Sequence, residues 1–262
     1  MVIRVPNSQF NSVCYIFDEH QHLRNLIEAI PALPRGELWI DSSDNPSVAL
    51  FKLPGIHFLG GTPNSNEIEK ILDKIPSKQA IFIPTQEKWI TILKRYFKDK
   101  LRSFDRFALS ASSLTINHIH NLRKELPYGY HIKQIDHIDW NQIRTSIGHY
   151  IHIFFRDIEH FKTSGKGYCV RNDNRVISMA SSLVPVTRSL EIQVDTVEST
   201  KYLRKGFATR AVVELIEYCL KKGIDPHWDA DTEISKKFAQ KLGYSNPQPY
   251  KCYYWVKKNE KG

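Results

Sequence analysis

The sequence predicts a mixed α/β fold, in which a central sheet of parallel and antiparallel strands is flanked by helices. Short apolar runs with strand character alternate with segments that carry one apolar helical face. In the second half of the chain, an antiparallel hairpin precedes the order strand, helix, strand, helix, strand. Hydrophobic residues make up 41% of the chain and charged residues 25%, which is typical of a globular protein that buries a core.

The 262 residues are enough for two domains of ordinary size. The segment LPYGYHIKQID, residues 126–136, carries turn signals and opens a new set of strands. We therefore predict a boundary near residue 125, with an N-terminal α/β domain at residues 1–125 and a second α/β domain at residues 126–262. We find no motif in the first domain that points to a particular chemistry.

The first half is predicted to alternate strands and helices. Residues 37–41 (ELWID) and 79–84 (QAIFIP) are apolar runs typical of strands, whereas residues 118–126 (HIHNLRKEL) have helical character. Residues 66–76 (NEIEKILDKIP) place four apolar side chains on one helical face before Pro76 ends the helix. The side chains on that face are Ile68, Ile71, Leu72 and Ile75.

The second half begins with a helix, a hairpin and a polar-faced strand. Residues 141–161 are predicted to be helical, with an end at Gly165. Residues 167–184 (GYCVRNDNRVISMASSLV) are predicted to form a hairpin about a polar turn at 172–174. The next strand, RSLEIQVDTV at 188–197, directs Ile192 and Val194 to one side and polar residues to the other. The polar side chains are Glu191, Gln193 and Asp195.

A long amphipathic helix follows that strand. Its apolar residues recur over nearly three turns, and Lys221, Lys222 and Gly223 end it as the helix dipole and C-terminal capping favour. The apolar face comprises Ala211, Val212, Leu215, Ile216, Cys219 and Leu220. A short strand, DPHWDAD at 225–231, is then predicted to present His227, Asp229 and Asp231 on one side.

One more helix and one more strand complete the chain. The helix DTEISKKFAQKLGY, residues 231–244, is predicted to end at Gly243, and an aromatic strand at 250–258 (YKCYYWVKK) follows it. The buried face of the helix is predicted to comprise Ile234, Phe238, Ala239 and Leu242.

The net charge of +9 predicts a surface that attracts anions, such as nucleic acid, acidic lipid or a phosphorylated small molecule. The densest basic run, residues 94–106 (KRYFKDKLRSFDR), is interleaved with aromatic residues, as single-strand binders are. Apolar residues at helical spacing favour instead a basic-faced amphipathic helix packed on a core. These residues are Ile92, Leu93, Tyr96, Phe97 and Leu101.

Several classes of protein are not expected from this sequence. We find no apolar run that approaches the roughly 18 residues of a membrane span, and the N-terminus lacks the pattern of a signal peptide, so we expect a cytoplasmic protein. Histidines, including HYIH at 149–152, lack the helix-borne glutamate of a zinc motif, so no metal is expected. The four cysteines lack C-x-x-C spacing and are read as reduced packing residues. They are Cys14, Cys169, Cys219 and Cys252.

The start of the long helix has an unusual charge. LRKGFATR, residues 203–210, gathers basic side chains at the helix end that is already electropositive, which costs roughly 0.3–1 kcal/mol for each of them. These side chains are Arg204, Lys205 and Arg210. A bound anion reverses the sign, because unpaired N–H groups of the first turn and basic side chains then donate to it. Gly206 lets a phosphate approach the backbone, which predicts a phosphate site at this turn.

The hexapeptide LRKGFA, residues 203–208, resembles the acetyl-CoA pyrophosphate loop of the Gcn5-related N-acetyltransferases (GNATs), which reads Q/R-x-x-G-x-G/A. Gly206 and Ala208 match this pattern, while Leu203 stands at its Gln/Arg position. The strand before the loop, the helix after it and HWDADTEISKKFAQKLGY at 227–244 are similar to the second half of the acetyl-CoA site in this superfamily. Over most of its length the chain resembles the bacillus-type GNAT acetyltransferases.

The resemblance implies a GNAT-like C-terminal domain at 126–262 that uses acetyl-CoA as co-substrate without a metal, and an N-terminal domain that helps to shape the acceptor site. It places the backbone of residues 194–196 beside the pantetheine arm and thioester, the 203–209 turn around the pyrophosphate, and Thr232 and Ser235 on the far side of the cofactor. The implied cofactor-binding residues are Val194, Thr196, Leu203, Arg204, Lys205, Gly206, Phe207, Ala208, Thr209, Thr232 and Ser235.

Acetyl transfer to an amine requires a group that removes the amine proton and a source of a proton for the departing thiolate. Asp195 and then Glu191 are the predicted catalytic residues, because both lie on the polar face of the strand that should meet the thioester. Reserve candidates are His227 and Asp229, followed by Tyr244 and Tyr253. The tyrosine that superfamily members often use as the acid corresponds to Ala239, so that role is vacant or filled elsewhere.

The leading hypothesis is an acetyl-CoA-dependent N-acetyltransferase that moves an acetyl group directly to a primary amine of a small molecule or peptide. A non-catalytic acyl-CoA-binding or sensing protein is the alternative, suggested by Ala239. A nucleic-acid-binding protein is the third reading, suggested by charge without a recognised motif. The expected partners are acetyl-CoA and the amine acceptor; a membrane partner is not expected, and a nucleic-acid partner is not favoured.

Overall fold

The computed structural model describes residues 1–20, 22–33, 35–64, 66–77, 80–147, 150–173 and 175–257. These residues form two compact units. Unit 1 comprises residues 1–31 and 35–106 together with the chain from Pro249 onward, and unit 2 comprises Phe107–Gln248 with a short piece at residues 32–33. The predicted domains at 1–125 and 126–262 stay a prediction, because contacts within the folded chain do not establish which part folds alone.

The described residues form strands and helices with the following bounds. The strands are β1 (Ile3–Val5), β2 (Glu37–Ile40), β3 (Val48–Leu53), β4 (Gly55–Gly61), β5 (Ala80–Pro84), β6 (Leu101–Ser110), β7 (Tyr130–Gln134), β8 (Gly167–Asn172), β9 (Arg175–Ser182), β10 (Ser189–Thr196), β11 (Asp225–Ala230) and β12 (Ser245–Trp255). The helices are α1 (Arg24–Ala29), α2 (Ile68–Leu72), α3 (Lys88–Phe97), α4 (Ile116–Asn121), α5 (His137–Ser146), α6 (Ile151–Phe154), α7 (Ile158–Ser164), α8 (Phe207–Lys222) and α9 (Glu233–Leu242). Short 3₁₀ turns lie at 7–12, 14–17, 30–32 and 98–100.

Unit 1 has a mixed sheet in the order β1-β2-β3-β4-β5-β12. The pairings of β1 with β2, β2 with β3, β3 with β4 and β5 with β12 are antiparallel, and that of β4 with β5 is parallel. Its core packs the sheet against α2 and α3 through Leu50, Leu59, Phe82, Trp89 and Leu93, each of them fully buried. The helical face predicted for residues 66–76 is part of this core, since all four of its apolar side chains are buried.

Unit 2 has a mixed sheet in the order β6-β11-β10-β9-β8-β7, in which the β10–β11 pair is parallel and the other pairs are antiparallel. α8 and α5 lie on opposite faces of it. Tyr168 of β8 interacts with Glu214 of α8, while its neighbour Cys169 interacts with Asp139 of α5. Because successive strand residues point to opposite faces, these contacts assign one helix to each side.

The two units repeat one order of elements. In each, a first strand is followed by a helical segment, three strands in an antiparallel meander, a helix, a strand parallel to the last one, and another helix. α2 and α3 in unit 1 thus correspond to α8 and α9 in unit 2. β12 completes the sheet of unit 1 beside β5, and β6 completes the sheet of unit 2 beside β11.

Most of the predicted elements are confirmed. The strands predicted at 37–41 and 79–84 are β2 and β5, the polar-faced strand is β10, and the long helix is α8, which ends at Gly223 with φ +66°. The predicted hairpin is the β8–β9 pair. Gln79, Asn174 and His149, which belong to predicted segments, lie outside the described residues.

The basic run at 94–106 is not one helix. α3 ends at Phe97, Lys98 has φ +50°, and Leu101 opens β6. A left-handed backbone at Lys98 interrupts the helix because a side chain with a Cβ disfavours continuing through that conformation. The predicted helix therefore holds for Ile92, Leu93, Tyr96 and Phe97 and is wrong for Leu101.

The single helix predicted at residues 141–161 is also wrong, since α5, α6 and α7 replace it. Ile147 and Phe155 both have extended backbones, which end α5 and α6. α7 starts anew at Asp157, whose side chain accepts a hydrogen bond from the His160 N–H at 2.8 Å. This N-cap favours a new helix at that residue over a continuation of the preceding one.

Two smaller expectations are corrected. Ile234 was predicted on the buried face of its helix, yet it is 80% exposed, because it lies in the first turn of α9 before the packed part begins. Ala239 and Leu242 are buried as predicted, and Phe238 packs edge-on against Trp228. The helix predicted at 118–126 is α4, which ends at Asn121.

Candidate functional site

The parallel strands at the centre of unit 2 separate part of the way along. β10 and β11 are in register over three residue pairs, of which Glu191 and His227 form the last. Beyond that point β10 pairs only with β9 and β11 only with β6 among the described residues. A slot therefore opens between the two strands. Its walls are backbone edges that have lost their ladder partners and can hydrogen-bond an extended ligand.

An ion pair lies at the point where the strands separate. His227 Nδ1 is 2.5 Å from Glu191 Oε2, and the Glu191 residue is only 4% exposed. Burial lowers the pKa of His227, but the Glu191 carboxylate and its hydrogen bond outweigh burial and raise the pKa to about 9. The pair is therefore ionised at neutral pH. It holds the two strands together at the last residue pair that they share.

The polar face predicted for β10 is confirmed by its contacts. Gln193 Nε2 donates to Asp195 Oδ2 at 2.6 Å, and Glu191 faces His227. The register aligns Asp195 with Met179 and Met179 with Cys169, which faces α5. The carboxylates of β10 thus lie on the α5 face of the sheet. α8 begins on the opposite face, so the slot connects the two sides.

The turn before α8 has an open, left-handed backbone. Arg204 and Gly206 have φ of +61° and +87°, and a Cβ built on Gly206 would meet nothing within 4 Å. Arg204 and Lys205 are exposed, and α8 has no side-chain N-cap and no acidic residue in its first turn. The first N–H groups of the 16-residue helix α8 therefore lack intrahelical partners, and they follow directly on the exposed Arg204 and Lys205.

Aromatic packing anchors this turn to unit 2. The Phe207 side chain is buried and stacks on Tyr130 with ring centroids 4.7 Å apart, while Tyr202 meets it edge-on at 6.3 Å. Only the backbone of Phe207 is thus available to a ligand, although it was predicted as a cofactor-binding residue. Leu203, which is 42% exposed, lies on the open side of the turn.

The remaining basic residue of the turn is committed within α8. Arg210 forms an ion pair with Glu214 one turn later. That pair draws the Arg210 guanidinium along the helix, so Arg204 and Lys205 carry the positive charge of the turn itself. Ala208 and Thr209, the other predicted residues here, are half-buried in the first turn of α8.

Two other predicted residues serve the start of α9. The Thr232 hydroxyl caps this helix by accepting a hydrogen bond from the Ser235 N–H at 3.1 Å. The Ser235 hydroxyl accepts a hydrogen bond from Trp228 Nε1 at 3.2 Å. Both contacts place these residues at the carboxyl end of β11, and their predicted contact with a cofactor stays a prediction.

The structure also locates the residues considered for proton transfer. The Tyr244 hydroxyl is buried and donates to the Pro226 carbonyl at 2.7 Å, while Tyr253 belongs to the core of unit 1. Ala239, at the position of the usual tyrosine, is fully buried in α9. Of the candidates, Asp195 and Glu191 of β10 and His227 and Asp229 of β11 lie along the slot.

Two polar partners beside the slot were not predicted. Ser178 of β9 donates to the Asp195 carbonyl at 2.9 Å and lies 2.8 Å from the Thr196 hydroxyl, fixing the end of β10 that faces the slot. Gln193 orients the Asp195 carboxylate. Alternation along β10 placed Gln193 on the polar face without giving it a role, and the sequence carries no signal for Ser178, since its role depends on the β9–β10 register.

The part of the chain that the structure describes holds no group of three or more histidine, cysteine or acidic residues arranged to bind a metal ion. The four cysteines are free, three of them buried and Cys14 half-buried. Among the described helices, none has the length and apolar character needed to cross a bilayer.

The fold and the site together define a class of protein. A mixed sheet whose central parallel strands separate, followed by a basic turn at an open helix N-terminus, is the architecture expected of an enzyme that transfers an acyl group from coenzyme A. Residues 15–253 match the family described as GNAT acetyltransferase, and the chain belongs to that family of N-acetyltransferases.

Individual relatives agree with this assignment. The chain is 25% identical over 259 residues to an uncharacterized N-acetyltransferase, YdfB, of Bacillus subtilis strain 168, with 95% of this chain and 97% of that protein covered. It is similar to the crystal structure of a GCN5-related N-acetyltransferase-like protein from Streptococcus suis 89/1591, with a TM-score of 0.78, 27% identity, and coverage of 95% of this chain and 98% of that one.

A more distant structure shares the fold alone. A tandem GNAT protein from the clavulanic acid biosynthesis pathway aligns with 99% of this chain and 99% of its own, at a TM-score of 0.58 and 9% identity. The mixed α/β fold predicted from the sequence, with its sheet flanked by helices, is thus confirmed.

Proposed function

We propose that this N-acetyltransferase takes its acyl group from acetyl-CoA and moves it directly to a primary amine of a small molecule or peptide. The observation that carries the proposal is the slot between β10 and β11, which opens beside a basic, uncapped helix N-terminus. We place the reaction in the cytoplasm, since the four free cysteines suit a reducing compartment.

The residues of the turn fit a pyrophosphate. The N–H groups at the start of α8 have no partners within the helix and no side-chain cap, and the space beside Gly206 is open. Arg204 and Lys205 add positive charge on the exposed side. Each charge-assisted hydrogen bond to a phosphate oxygen contributes roughly 1.5–3 kcal/mol. Leu203, in the place of a polar residue, would contribute apolar contact only.

The slot fits an extended pantetheine arm, because Val194 and Thr196 lie on a strand edge that has no partner on the β11 side. The amide groups of such an arm can pair with that edge as an added strand would. When bound, acetyl-CoA supplies the acetyl group as a thioester with a thiolate leaving group. The slot would hold that thioester between the α8 face and the face that carries the carboxylates.

Proton removal from the amine falls to Asp195 in this proposal. Glu191 is held by protonated His227, so its oxygens are committed to an ion pair at neutral pH. Asp195 lies farther along the slot and is half-buried. Gln193 donates to one oxygen of its carboxylate, which orients the group. The Asp195 carboxylate would accept the proton that the attacking ammonium loses.

Glu191 and His227 act as a positioning pair in this scheme. Their ion pair sets the residue at which the strands separate and so the depth of the slot. The alternative suggested by Ala239 is a non-catalytic acyl-CoA sensor. Such a sensor would bind acyl-CoA at the same site and would not transfer the acyl group. The part of residues 1–125 in shaping the acceptor site stays a prediction.

A glycine pair in the chain gives a matched test of the cofactor site. Gly206→Glu places a carboxylate at the helix N-terminus, where it competes with the pyrophosphate. Gly55→Glu introduces the same strain in unit 1, since Gly55 has φ +83° and also has open space around its Cβ position. Calorimetry with acetyl-CoA should show binding that Gly206→Glu abolishes and Gly55→Glu leaves intact.

Equal binding by both glutamate variants would remove the 203–209 turn from the cofactor site. Thiol release from acetyl-CoA across a panel of amines then separates the enzyme from the sensor. Turnover that depends on an amine supports the proposed function, whereas tight binding without turnover on any amine supports the sensor.

A further inference from the structure

Unit 1 contains a cavity of about 450 Å³, and none of its lining residues belongs to the 203–209 turn of unit 2. It lies at the carboxyl end of β5, where the chain leaves the strand and enters α3. Its other walls are formed by residues of the N-terminal segment and of β12. These residues are Glu19, His20, His22 and Leu23, and Pro249, Tyr250, Lys251 and Tyr253. Ligands of open α/β sheets commonly bind at the carboxyl ends of strands, and the volume is within the range of small-molecule sites.

One wall of this cavity is aromatic. The His22 ring stacks on Tyr250 with centroids 5.0 Å apart and an interplanar angle of 20°, and both residues line the cavity. Tyr253 lines it as well and is 4% exposed. Aromatic faces of this kind bind the apolar body of a ligand and attract a cation by its charge.

The charged groups of the walls are mainly acidic. Glu19 and Glu87 line the cavity, and Glu87 is exposed at the residue that precedes α3. The positive end of that helix stabilises the Glu87 carboxylate. Glu87 also lies close enough to Tyr253 to help raise the pKa of its phenol, after burial and nearby groups that act more strongly.

The basic groups of the walls do not cancel this charge. Lys251 forms an ion pair with Asp105 at 2.7 Å. His20 is buried with Nε2 3.1 Å from the Ile83 carbonyl oxygen, and burial lowers its pKa to about 4, so the ring is neutral at physiological pH. The cavity thus presents the exposed Glu87 carboxylate and the Glu19 carboxylate, which accepts a hydrogen bond from Gln86 Nε2.

The polar wall also contains an unpaired hydroxyl group. Thr85 follows β5 directly and lines the cavity, and its Oγ1 is buried without a hydrogen-bond partner among the described residues. Its backbone N–H is already committed to the Leu59 carbonyl at 2.9 Å. A hydroxyl group can accept a hydrogen bond from a ligand N–H group or donate one, so Thr85 offers the ligand a polar partner while the carboxylates select its charge.

We propose that this cavity is a binding site for a small organic ammonium compound with an apolar or aromatic body. The ammonium group would lie between Glu87 and Thr85, with the body against His22 and Tyr250. The site shares no lining residue with the 203–209 turn of unit 2, and binding there does not depend on the proposed acetyl transfer.

The charge of the ligand is tested with three molecules of one shape, benzylamine, benzyl alcohol and benzoate. Each is titrated into the full chain at neutral pH and observed by ligand NMR. Benzylamine, which is protonated there, should bind saturably and more weakly as salt is added. Benzyl alcohol should bind at least about tenfold more weakly, since one charge-assisted contact is worth at least a factor of ten. Equal binding of the alcohol, or preferred binding of benzoate, would overturn the proposal.

Two variants locate the bound amine. Glu87→Gln removes one carboxylate and should weaken benzylamine binding about tenfold. Tyr250→Leu should weaken benzylamine and benzyl alcohol alike, because it removes the aromatic wall. Glu69→Gln, an exposed site on α2 away from the cavity, is the matched control and should change nothing.

The Asp195→Asn variant separates this site from the acceptor site. Benzylamine binding should persist in that variant at its original affinity, whatever the outcome for acetyl transfer. Binding that Asp195→Asn abolishes and Glu87→Gln preserves would assign the amine to unit 2 and overturn the proposal.

Discussion

The two parallel strand pairs of the molecule are alike in order and differ in how they end. β4 and β5 stay in register over five residue pairs, and the Thr85 N–H continues the ladder to the Leu59 carbonyl. β10 and β11 share only three pairs before they separate. The same sequence of elements therefore yields a closed sheet in unit 1 and a slot in unit 2, so topology alone does not make a site.

Glycines lie at the end of β4 in unit 1 and directly before α8 in unit 2, for opposite reasons. In unit 1 a Cβ on Gly60 would press against the Phe17 ring, and one on Gly61 would overlap the Ser47 carbonyl oxygen. Trp89 Nε1 also donates to the Gly61 carbonyl at 3.0 Å. Gly206 of unit 2 has nothing within 4 Å of its Cβ position. Glycine thus permits close packing in one unit and a left-handed backbone beside open space in the other.

The largest effect is expected where the two units differ in chemistry. β10 carries Asp195 near its end, whereas β4 ends in two glycines. We expect Asp195→Asn to lower kcat/KM by about 10²–10⁴-fold, because it removes the proton acceptor, and to leave acetyl-CoA affinity unchanged. Thiol release with the best amine of the panel and calorimetry measure the two quantities.

The matched control for that variant is Glu198→Gln, which alters an exposed carboxylate two residues beyond β10. It should keep wild-type turnover. A wild-type rate in Asp195→Asn, with amine-dependent turnover intact, would assign proton removal to another group and leave the slot as a binding feature.

The next effect is on stability and compares the two glycine turns directly. We expect Gly61→Ala to lower the free energy of unfolding by about 3 kcal/mol, since it adds both left-handed strain and an overlap with Ser47. Gly206→Ala should cost only about 1 kcal/mol, because strain is its single penalty. Urea denaturation of both variants measures the difference. Equal losses would show that the turn of unit 1 relaxes as freely as that of unit 2.

The effect that is smallest at neutral pH, and that grows as the pH rises, concerns the ion pair at the start of the slot. The pKa of His227 is raised from 6.5 to about 9 by Glu191. A raised pKa means that the stabilisation is fully present below about pH 6.5 and is lost as the pH rises through about 9. The expected loss is roughly 3–4 kcal/mol. Urea denaturation between pH 6 and about 10 measures it.

Glu191→Gln serves as the comparison for this pH dependence. It removes the carboxylate that raises the pKa of His227, so the decline in stability across that range should disappear. A decline of unchanged size in the variant would mean that other groups cause it, and the ion pair would then not hold the strands at the start of the slot.

Much of unit 2 could be predicted because its signals are local. The alternation of β10 identified the polar face, and the periodicity of α8 with Gly223 gave the helix and its end. The charge of the 203–210 turn also predicts an anion site there, which stays a prediction. Each of these features depends on neighbouring residues, which the sequence lists in order.

The features that were missed depend on pairing between distant residues. Neither the three-pair register of β10 with β11 nor the approach of Glu191 to His227 is readable without the sheet. Sequence periodicity also failed across Lys98, because one left-handed residue turns a helical pattern into a strand. The sequence does not reveal the repeat of the two units, because their side chains differ while the pairing order of their strands agrees.

The position of β12 has a consequence for synthesis of the chain on the ribosome. The sheet of unit 1 is completed by residues near the C-terminus, which pair with β5. At the usual 5–20 residues per second, roughly 10–30 s separate the emergence of β6 from that of β12. During that interval the outer edge of β5 has no strand beside it and can pair with another nascent chain. The sheet of unit 1, whose first strands are synthesised first, is therefore completed only when β12 has been synthesised.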